Sequence, residues 1–380
     1  MNQTTNARLG SLISELRQKR GLTQSEFAKQ LNTSQSAINR IEKGGQNLSL
    51  DMLSRISEVL EKPLISVGDE SVNLRIEGGH ELSGEITLKT SKNAAVGLLC
   101  ASLLNKGTTT YKKFPQIEEV FRIIEVLESI GVKIKWLPGN DLQIKRPARL
   151  KLENMDAAAA RKTRSVLMMI GPLISELREF KIPYAGGCKL GERTVRPHLF
   201  GLEEFGVDIE AKNTYYHVNS KPTNPEHVVL YESGDTVTEN ILMAAAKTKG
   251  KTTLQYATAN YMVQDVCGYL QALGIKIEGF GTSKVTVHGT DKEIKKDVVY
   301  APAEDPIEAM FFTSVAVTTN SEITIKRVPQ EFMELELLKL KKMGLTVPRD
   351  VSVVGFGNSN LCEIVEPELT SVTHEPALMG

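Results

Sequence analysis

Apolar residues recur at helical intervals between Leu9 and Leu60. They fall in four runs: Leu9, Leu12, Ile13 and Leu16; Phe27, Ala28 and Leu31; Ala37, Ile38 and Ile41; and Leu48, Met52, Leu53, Ile56 and Leu60. Short polar breaks separate the runs. Thr23, with Glu26 three residues on, and Thr33 are the expected N-caps of the second and third helices. This pattern predicts a small all-α domain over residues 1–66. Past Lys62-Pro63 and a Gly/Asp/Ser-containing stretch to Ser71, the periodicity changes to alternating strand and helix, so a boundary falls at 65–72.

The next 270 or so residues repeat internally. Asn105-Lys106-Gly107-Thr108-Thr109-Thr110 and Thr248-Lys249-Gly250-Lys251-Thr252-Thr253 each follow an Ala/Leu-rich helix, and Thr319-Asn320-Ser321-Glu322-Ile323-Thr324 holds the same place without its glycine. Each leads through a second amphipathic helix to a glycine and an apolar-polar-apolar strand. Four such passages start at Gly131, Gly206, Gly274 and Gly344, with spacings of 75, 68 and 70 residues. A glycine at that point suits a left-handed helix C-cap, and the alternation after it buries one strand face. Each of four units therefore reads as helix, strand, helix, strand, packed in two layers.

Composition narrows the function classes. The 380 residues hold 46 basic and 46 acidic side chains, so any affinity for a polyanion has to come from a local segment. Residues 8–43 are such a segment, with seven Lys/Arg against three Asp/Glu. The cysteines, Cys100, Cys188, Cys267 and Cys362, show no CxxC spacing, the six histidines are dispersed, and no metal or organic cofactor is expected. No apolar run reaches the roughly 18 residues of a membrane span, and the start MNQTTNARLG lacks a signal-peptide core; a cytoplasmic protein with no membrane partner is expected.

Three polar clusters could carry chemistry. Thr90-Ser91-Lys92-Asn93 opens a helix, where the N-terminus and a lysine together suit an anion. Arg161-Lys162-Thr163-Arg164 precedes an apolar segment ending in Gly171-Pro172. In Gly186-Gly187-Cys188-Lys189, with Arg193 nearby, the glycines expose a thiol whose thiolate the cations favour. Together they suggest a small anionic, phosphorylated substrate. Read separately, they are three unrelated surface patches.

Two resemblances follow from these residues. Thr23 to Ala28 and Thr33 to Glu42 resemble the Cro/C1-type helix-turn-helix family, which implies that Gln35, Ser36, Asn39 and Arg40 face the major groove of double-stranded DNA. Ser91-Lys92-Asn93-Ala94-Ala95, Thr163-Arg164-Ser165 through Gly171-Pro172-Leu173, Gly186-Gly187-Cys188 with Arg193 and His198-Leu199, and Thr238-Glu239-Asn240-Ile241 resemble the UDP-N-acetylglucosamine 1-carboxyvinyltransferases, an enolpyruvyl transferase family, over 72–344. That resemblance implies an inside-out α/β barrel and transfer of the enolpyruvyl group of phosphoenolpyruvate to the 3′-hydroxyl of UDP-N-acetylglucosamine, the first committed step of peptidoglycan synthesis. It implies that Lys92, Arg164 and Arg193 bind phosphoenolpyruvate, that Asn93 orients the sugar nucleotide, and that Cys188 is the reactive cysteine of a mobile loop.

The family pattern is not kept everywhere. The family's general-base aspartate falls in register on Pro306; Asp305, one residue early, is the expected base, with Glu308 two residues late. The usual Pro-Val-Asp-Leu is replaced by Thr194-Val195-Arg196-Pro197. From 345 onward, Val347-Pro348-Arg349-Asp350 to Ser359 and Pro367 to Val372 resemble the end of the ligand-binding domain of lactose-repressor-type regulators. The expected organisation is 1–66 helix-turn-helix, 67–90 linker and first barrel strands, 91–296 a three-unit transferase domain, 297–344 an incomplete second barrel domain, and 345–380 the repressor-like tail. Impaired turnover goes with that incompleteness. Two other readings stay open, a DNA-binding regulator that senses a nucleotide sugar and an inactive chimera.

Overall fold

The computed structural model describes residues 3–45, 48, 50–60, 78–184, 195–345, 355–356 and 371–372. It divides into two units, Met1–Gly78 and Gly79–Gly380.

In the first unit, four helices form: α1 (Gln3–Lys19), α2 (Gln24–Gln30), α3 (Gln35–Glu42) and α4 (Leu50–Leu60). Thr23 caps α2 in a full capping box with Glu26, as its spacing predicts. The cap of α3 is Ser34, one residue later than expected, its hydroxyl accepting from the Ala37 amide at 3.2 Å. Thr33 belongs instead to the end of α2, its N–H donating to the Ala28 carbonyl at 2.9 Å past Asn32 in a left-handed conformation. Ile13, Phe27, Leu31, Ile38, Ile41 and Ile56 make the core. A buried ion pair fastens α1 to α3: Arg17 Nε donates to Glu42 at 2.5 Å, while Gln24 and Ser14 donate to the other carboxylate oxygen.

The second unit opens with strand β1 (Ser83–Thr87), helix α5 (Lys92–Ala101), β2 (Thr108–Tyr111), α6 (Glu118–Ser129), β3 (Lys133–Leu137) and β4 (Asp141–Lys145). Then come α7 (Ala157–Arg161), a 3₁₀ turn (Ser165–Met169) running into α8 (Ile170–Leu173), β5 (Glu179–Pro183), α9 (Arg196–Glu203), β6 (Val207–Ala211) and β7 (Tyr215–Ser220). The third repeat supplies β8 (His227–Val229), α10 (Asp235–Ala246), β9 (Gly250–Gln255), α11 (Tyr261–Ala272), β10 (Lys276–Glu278) and β11 (Lys284–Gly289). The fourth supplies β12 (Val298–Tyr300), α12 (Pro306–Thr318), β13 (Glu322–Lys326) and α13 (Glu334–Lys342).

The four junction glycines, Gly131, Gly206, Gly274 and Gly344, all have φ between 75° and 97°, the left-handed cap that the repeat requires. The repeat itself is one strand longer than expected. In each of the first three units the glycine strand turns back as a second, antiparallel strand, β4, β7 or β11, which pairs between the glycine strand and the strand before the outer helix. The strands lie in separate sheets, ordered β12-β2-β4-β3, β5-β7-β6 and β10-β11-β9-β8, with β1 paired in parallel to β13.

Helices fill the interior. α5 is buried from Ala94 to Ala101, the 3₁₀ turn and α8 from Val166 to Leu173, and α10 from Val237 to Ala246. A helix without a polar face needs neighbours on every side; α5 finds them chiefly in α11, with α6 and the 3₁₀ turn, and α10 in α8, α9 and α11. The packing is close enough to require Gly171: a Cβ there would stand 2.2 Å from the Asn240 carbonyl oxygen. Among the described residues the fourth unit has a satellite core of Leu88, Ala309, Val328 and Met333. Two chain crossings join it to the three-unit body, through Ser91 N–H to Ala303 at 2.9 Å and Asp305 N–H to Lys89 at 2.9 Å.

Candidate active site

The inner and outer helices of the three units begin at one rim, and the polar residues of those first turns touch in sequence around it. Ser91 caps α5 and sets Lys92 and Asn93 at its start. Lys92 Nζ lies 3.8 Å from Glu119 in the first turn of α6, and Glu119 accepts from the Ser165 hydroxyl at 3.1 Å. Ser165 follows Arg164, whose charge is felt by His198 in α9. The two ring nitrogens of His198 meet Asn240 at 3.1 Å and Thr236 at 3.3 Å in α10. Asp235, beside Thr236, accepts from Asn260, the cap of α11, at 3.4 Å. Tyr261, next in the chain, accepts from Asn93 Nδ2 at 3.3 Å, which returns the path to α5.

Residues as far apart in the chain as Ser91 and Tyr261 are thus drawn into one ring. Of the sequence-predicted residues, the structure brings Lys92, Asn93 and Arg164 onto this rim. Cys188 and Arg193 lie outside the described residues. Asp305 is the N-cap of α12: its Oδ1 accepts from Ile307 and Glu308, and its Oδ2 lies 3.3 Å from the Lys92 amide. It therefore adjoins the rim while also holding a helix start. Glu308 accepts from the Lys89 amide at 2.8 Å, on the neighbouring crossing.

The electrostatics suit an anion. The starts of α5, α10 and α11 carry the positive ends of their helix dipoles. Lys92 is half exposed, and at 3.8 Å its pair with Glu119 is of the kind that contributes about 0–1 kcal/mol, so an anionic ligand can displace it. His198 is held neutral: burial, then the nearby Arg164 charge, bring its pKa down to about 4. With Asn240 Nδ2 donating to Nδ1, the proton sits on Nε2 and points to Thr236. Asn240 in turn accepts from the Gly171 amide at 2.8 Å and donates to the Leu167 carbonyl, tying α10 to the second unit.

Two carboxyl groups lie below the rim. Burial raises the pKa of Asp265 to about 6 even though the Tyr300 hydroxyl and the Ala303 amide donate to it. Glu239 is fully buried with Oε1 lacking a hydrogen bond, and burial followed by the Asp235 and Asp265 charges lifts it well above the carboxylate range. Burial also raises the thiols of Cys100 and Cys267, the latter to about 12, so neither serves as a thiolate nucleophile. Among the described residues no group of three His, Cys, Asp or Glu could hold a metal ion, and no helix is long and apolar enough to cross a membrane.

Glu119, His198, Asp235, Thr236 and Tyr261 were not singled out from the sequence as site residues. A signal existed for one part: polar Thr238-Glu239-Asn240 inside an otherwise apolar helix marks buried side chains that need partners. In the first unit, Gln35, Ser36 and Arg40 are exposed and Asn39 half-exposed, on the side of α3 away from buried Ile38 and Ile41.

Comparison with known proteins matches this geometry. The helix-turn-helix family model matches residues 13–66. UDP-N-acetylglucosamine 1-carboxyvinyltransferase of Campylobacter jejuni is 31% identical over 271 residues, covering 71% of this chain and 64% of that protein. UDP-N-acetylglucosamine 1-carboxyvinyltransferase 1 of Clostridium acetobutylicum is 32% identical over 276 residues, 72% of this chain and 65% of that one. The chain thus spans a little under two thirds of these relatives. The crystal structure of the enolpyruvyl transferase NikO from Streptomyces tendae shares the fold with a TM-score of 0.61 at 19% identity, over 71% of this chain and 64% of that one. EPSP synthase from Acinetobacter baumannii does so at 0.54 and 18%, over 70% and 61%. The family model for EPSP synthase (3-phosphoshikimate 1-carboxyvinyltransferase) covers residues 76–373, reaching into the stretch from 345 that the sequence likens to a repressor and that lies mostly outside the described residues. With that match over most of its length, and with its inner helices and rim arranged as described, the chain belongs to the EPSP synthase (3-phosphoshikimate 1-carboxyvinyltransferase) family.

Proposed function

We propose that this chain transfers the enolpyruvyl group of phosphoenolpyruvate to the 3′-hydroxyl of UDP-N-acetylglucosamine, as a cytoplasmic step of peptidoglycan synthesis. The observation that carries this reading is the gathering of Lys92, Asn93 and Arg164, 72 positions apart at the extremes, on one rim with helix starts around them. The acceptor is taken from the relatives at 31–32% identity, which bear the name of the sugar-nucleotide enzyme.

Lys92, Arg164 and Arg193 neutralise the phosphate and carboxylate of phosphoenolpyruvate, and Asn93 orients the sugar nucleotide. The sugar hydroxyl adds to C2 of phosphoenolpyruvate as its proton passes to a carboxylate, for which Asp305, whose Oδ2 lies beside the Lys92 amide, is the candidate. Cys188 supplies the proton that makes the C3 methylene a methyl. Loss of phosphate with return of a C3 proton then yields the enol ether. The test is phosphate release from phosphoenolpyruvate with UDP-N-acetylglucosamine. Release that Cys188→Ser abolishes and that shikimate 3-phosphate does not elicit is the expected result; no release with either acceptor overturns the reading.

A second reading, a DNA-binding regulator that senses a nucleotide sugar, is favoured by the helix-turn-helix unit with Gln35, Ser36 and Arg40 exposed on α3. Duplex DNA bound by the full chain and released or tightened by UDP-N-acetylglucosamine, without turnover, is the outcome that selects it.

A further inference from the structure

Tyr261 and Asp265 stand about one turn apart on α11. Tyr261 meets Asn93 on the rim. Asp265 is buried and faces the crossing from β12 into α12: the Tyr300 hydroxyl donates to its Oδ1 at 2.8 Å, and the Ala303 N–H donates to both of its oxygens, at 3.2 and 3.1 Å. The helix is shaped for this contact. Gly268 lies against the Tyr300 hydroxyl, and a Cβ there would stand 2.6 Å from it. The Tyr300 ring is held besides by edge contacts with Tyr111 and Tyr269, at centroid separations of 6.4 and 5.9 Å. Burying a carboxyl group is costly, and a hydroxyl and an amide aimed at it from the crossing are what compensate it.

The residue that Asp265 grips also touches α5. The Ala303 carbonyl accepts from the Ser91 N–H at 2.9 Å, and Ser91 caps the helix that starts with Lys92 and Asn93. Two residues further on, Asp305 donates its N–H to the Lys89 carbonyl at 2.9 Å, and its Oδ2 lies 3.3 Å from the Lys92 amide. Lys92 and Asn93 are placed by the α5 cap and by Tyr261, whereas Asp305 is carried in by the crossing. We propose that Asp265 is a positioning residue for enolpyruvyl transfer: by fixing Ala303 between α11 and Ser91, it holds the Asp305 carboxylate where it takes the proton of the sugar hydroxyl. In that step the hydroxyl oxygen bonds C2 of phosphoenolpyruvate, and the alkene electron pair takes up the Cys188 proton at C3. The proposal rests on the transferase reading with Asp305 as proton acceptor. Both oxygens of Asp265 face donors, so an amide of the same volume turns its NH2 toward the Ala303 N–H and displaces the crossing.

The experiment is steady-state phosphate release by the full-length chain from phosphoenolpyruvate and UDP-N-acetylglucosamine, in H2O and in D2O, for the wild type, Asp265→Asn and Tyr300→Phe. A displaced acceptor slows proton transfer and leaves substrate binding alone. For Asp265→Asn, kcat should fall roughly tenfold to a hundredfold with KM for each substrate within about twofold, and the solvent deuterium isotope effect on kcat should exceed that of the wild type. Tyr300→Phe, which keeps the Ala303 bonds, should move kcat and the isotope effect in the same directions by less, and it carries the test if Asp265→Asn does not fold. Loss of folded protein lowers kcat without changing the isotope ratio. A slower variant with the wild-type isotope effect therefore overturns the positioning role, as does a kcat that neither substitution changes. A wild type that releases no phosphate overturns the transferase reading and this proposal with it; a wild type that turns over while its variants match it overturns this proposal alone.

Discussion

At the scale of single residues, His198 shows how burial and position set a chemical state that its sequence neighbours do not announce. It lies in Arg196-Pro197-His198-Leu199, two residues after a charged arginine, yet it is buried and bonded at both ring nitrogens. Its pKa of about 4 in the folded chain is below the ordinary 6.5. The unfolded chain therefore takes up the proton first as pH falls, so the contribution of His198 to stability is complete above pH 6.5 and is lost progressively down to about 4. The size is about 3 kcal/mol for a shift of that order. Asp265 works in the opposite sense, since its folded pKa of about 6 lies above 3.8 and the native state gains stability from protonation over an overlapping range. The wild-type profile alone blends the two. Denaturation of the wild type and of His198→Gln from pH 7 to 4 separates them: the difference in unfolding free energy between the two proteins should shrink as pH falls, and a difference that stays constant would contradict a neutral buried imidazole.

Among the elements, the local signals that were legible are those made by residues close in sequence. Thr23 and Glu26 announce a capping box, and the four glycines announce left-handed helix ends. Where two helices meet in a short turn the local signal can miss by a residue: Thr33 ends α2 and Ser34, next in the chain, caps α3. The returning strands β4, β7 and β11 escaped notice because the glycine marks only the first arm of each hairpin. Helix packing gives a sharper test. Gly171→Ala forces a methyl carbon against the Asn240 backbone, which no side-chain rotation relieves, and should cost about 1–3 kcal/mol. Denaturant titration checks it; a midpoint equal to that of the wild type would mean that α8 and α10 do not approach as described.

For the whole molecule, charge distribution matters more than total charge. Equal numbers of acidic and basic side chains leave no field to hold DNA, but residues 8–43 carry a net excess of four positive charges. If α3 enters a groove, duplex binding by the full chain should weaken steeply as salt rises, while Asn39→Ala reduces discrimination between sequences more than it changes that salt slope. Gel shifts at several salt concentrations read both quantities; affinity that does not respond to salt would count against the DNA reading.

Period, caps and junction glycines are properties of neighbouring residues, and so the helical head and the repeating α/β units were legible along the chain, and Lys92, Asn93 and Arg164 could be named from it as candidates. The ring was not. Glu119 meets Lys92, Asp235 meets Asn260 and Asn93 meets Tyr261 only because three units bury their apolar helices against one another and bring the helix starts to one end. The same packing decides which cysteines are inert and which histidine is neutral, since desolvation depends on what surrounds a group in space. Apolar sequence alone marks α12 for burial as surely as α5; only the tertiary structure shows that one of them is covered.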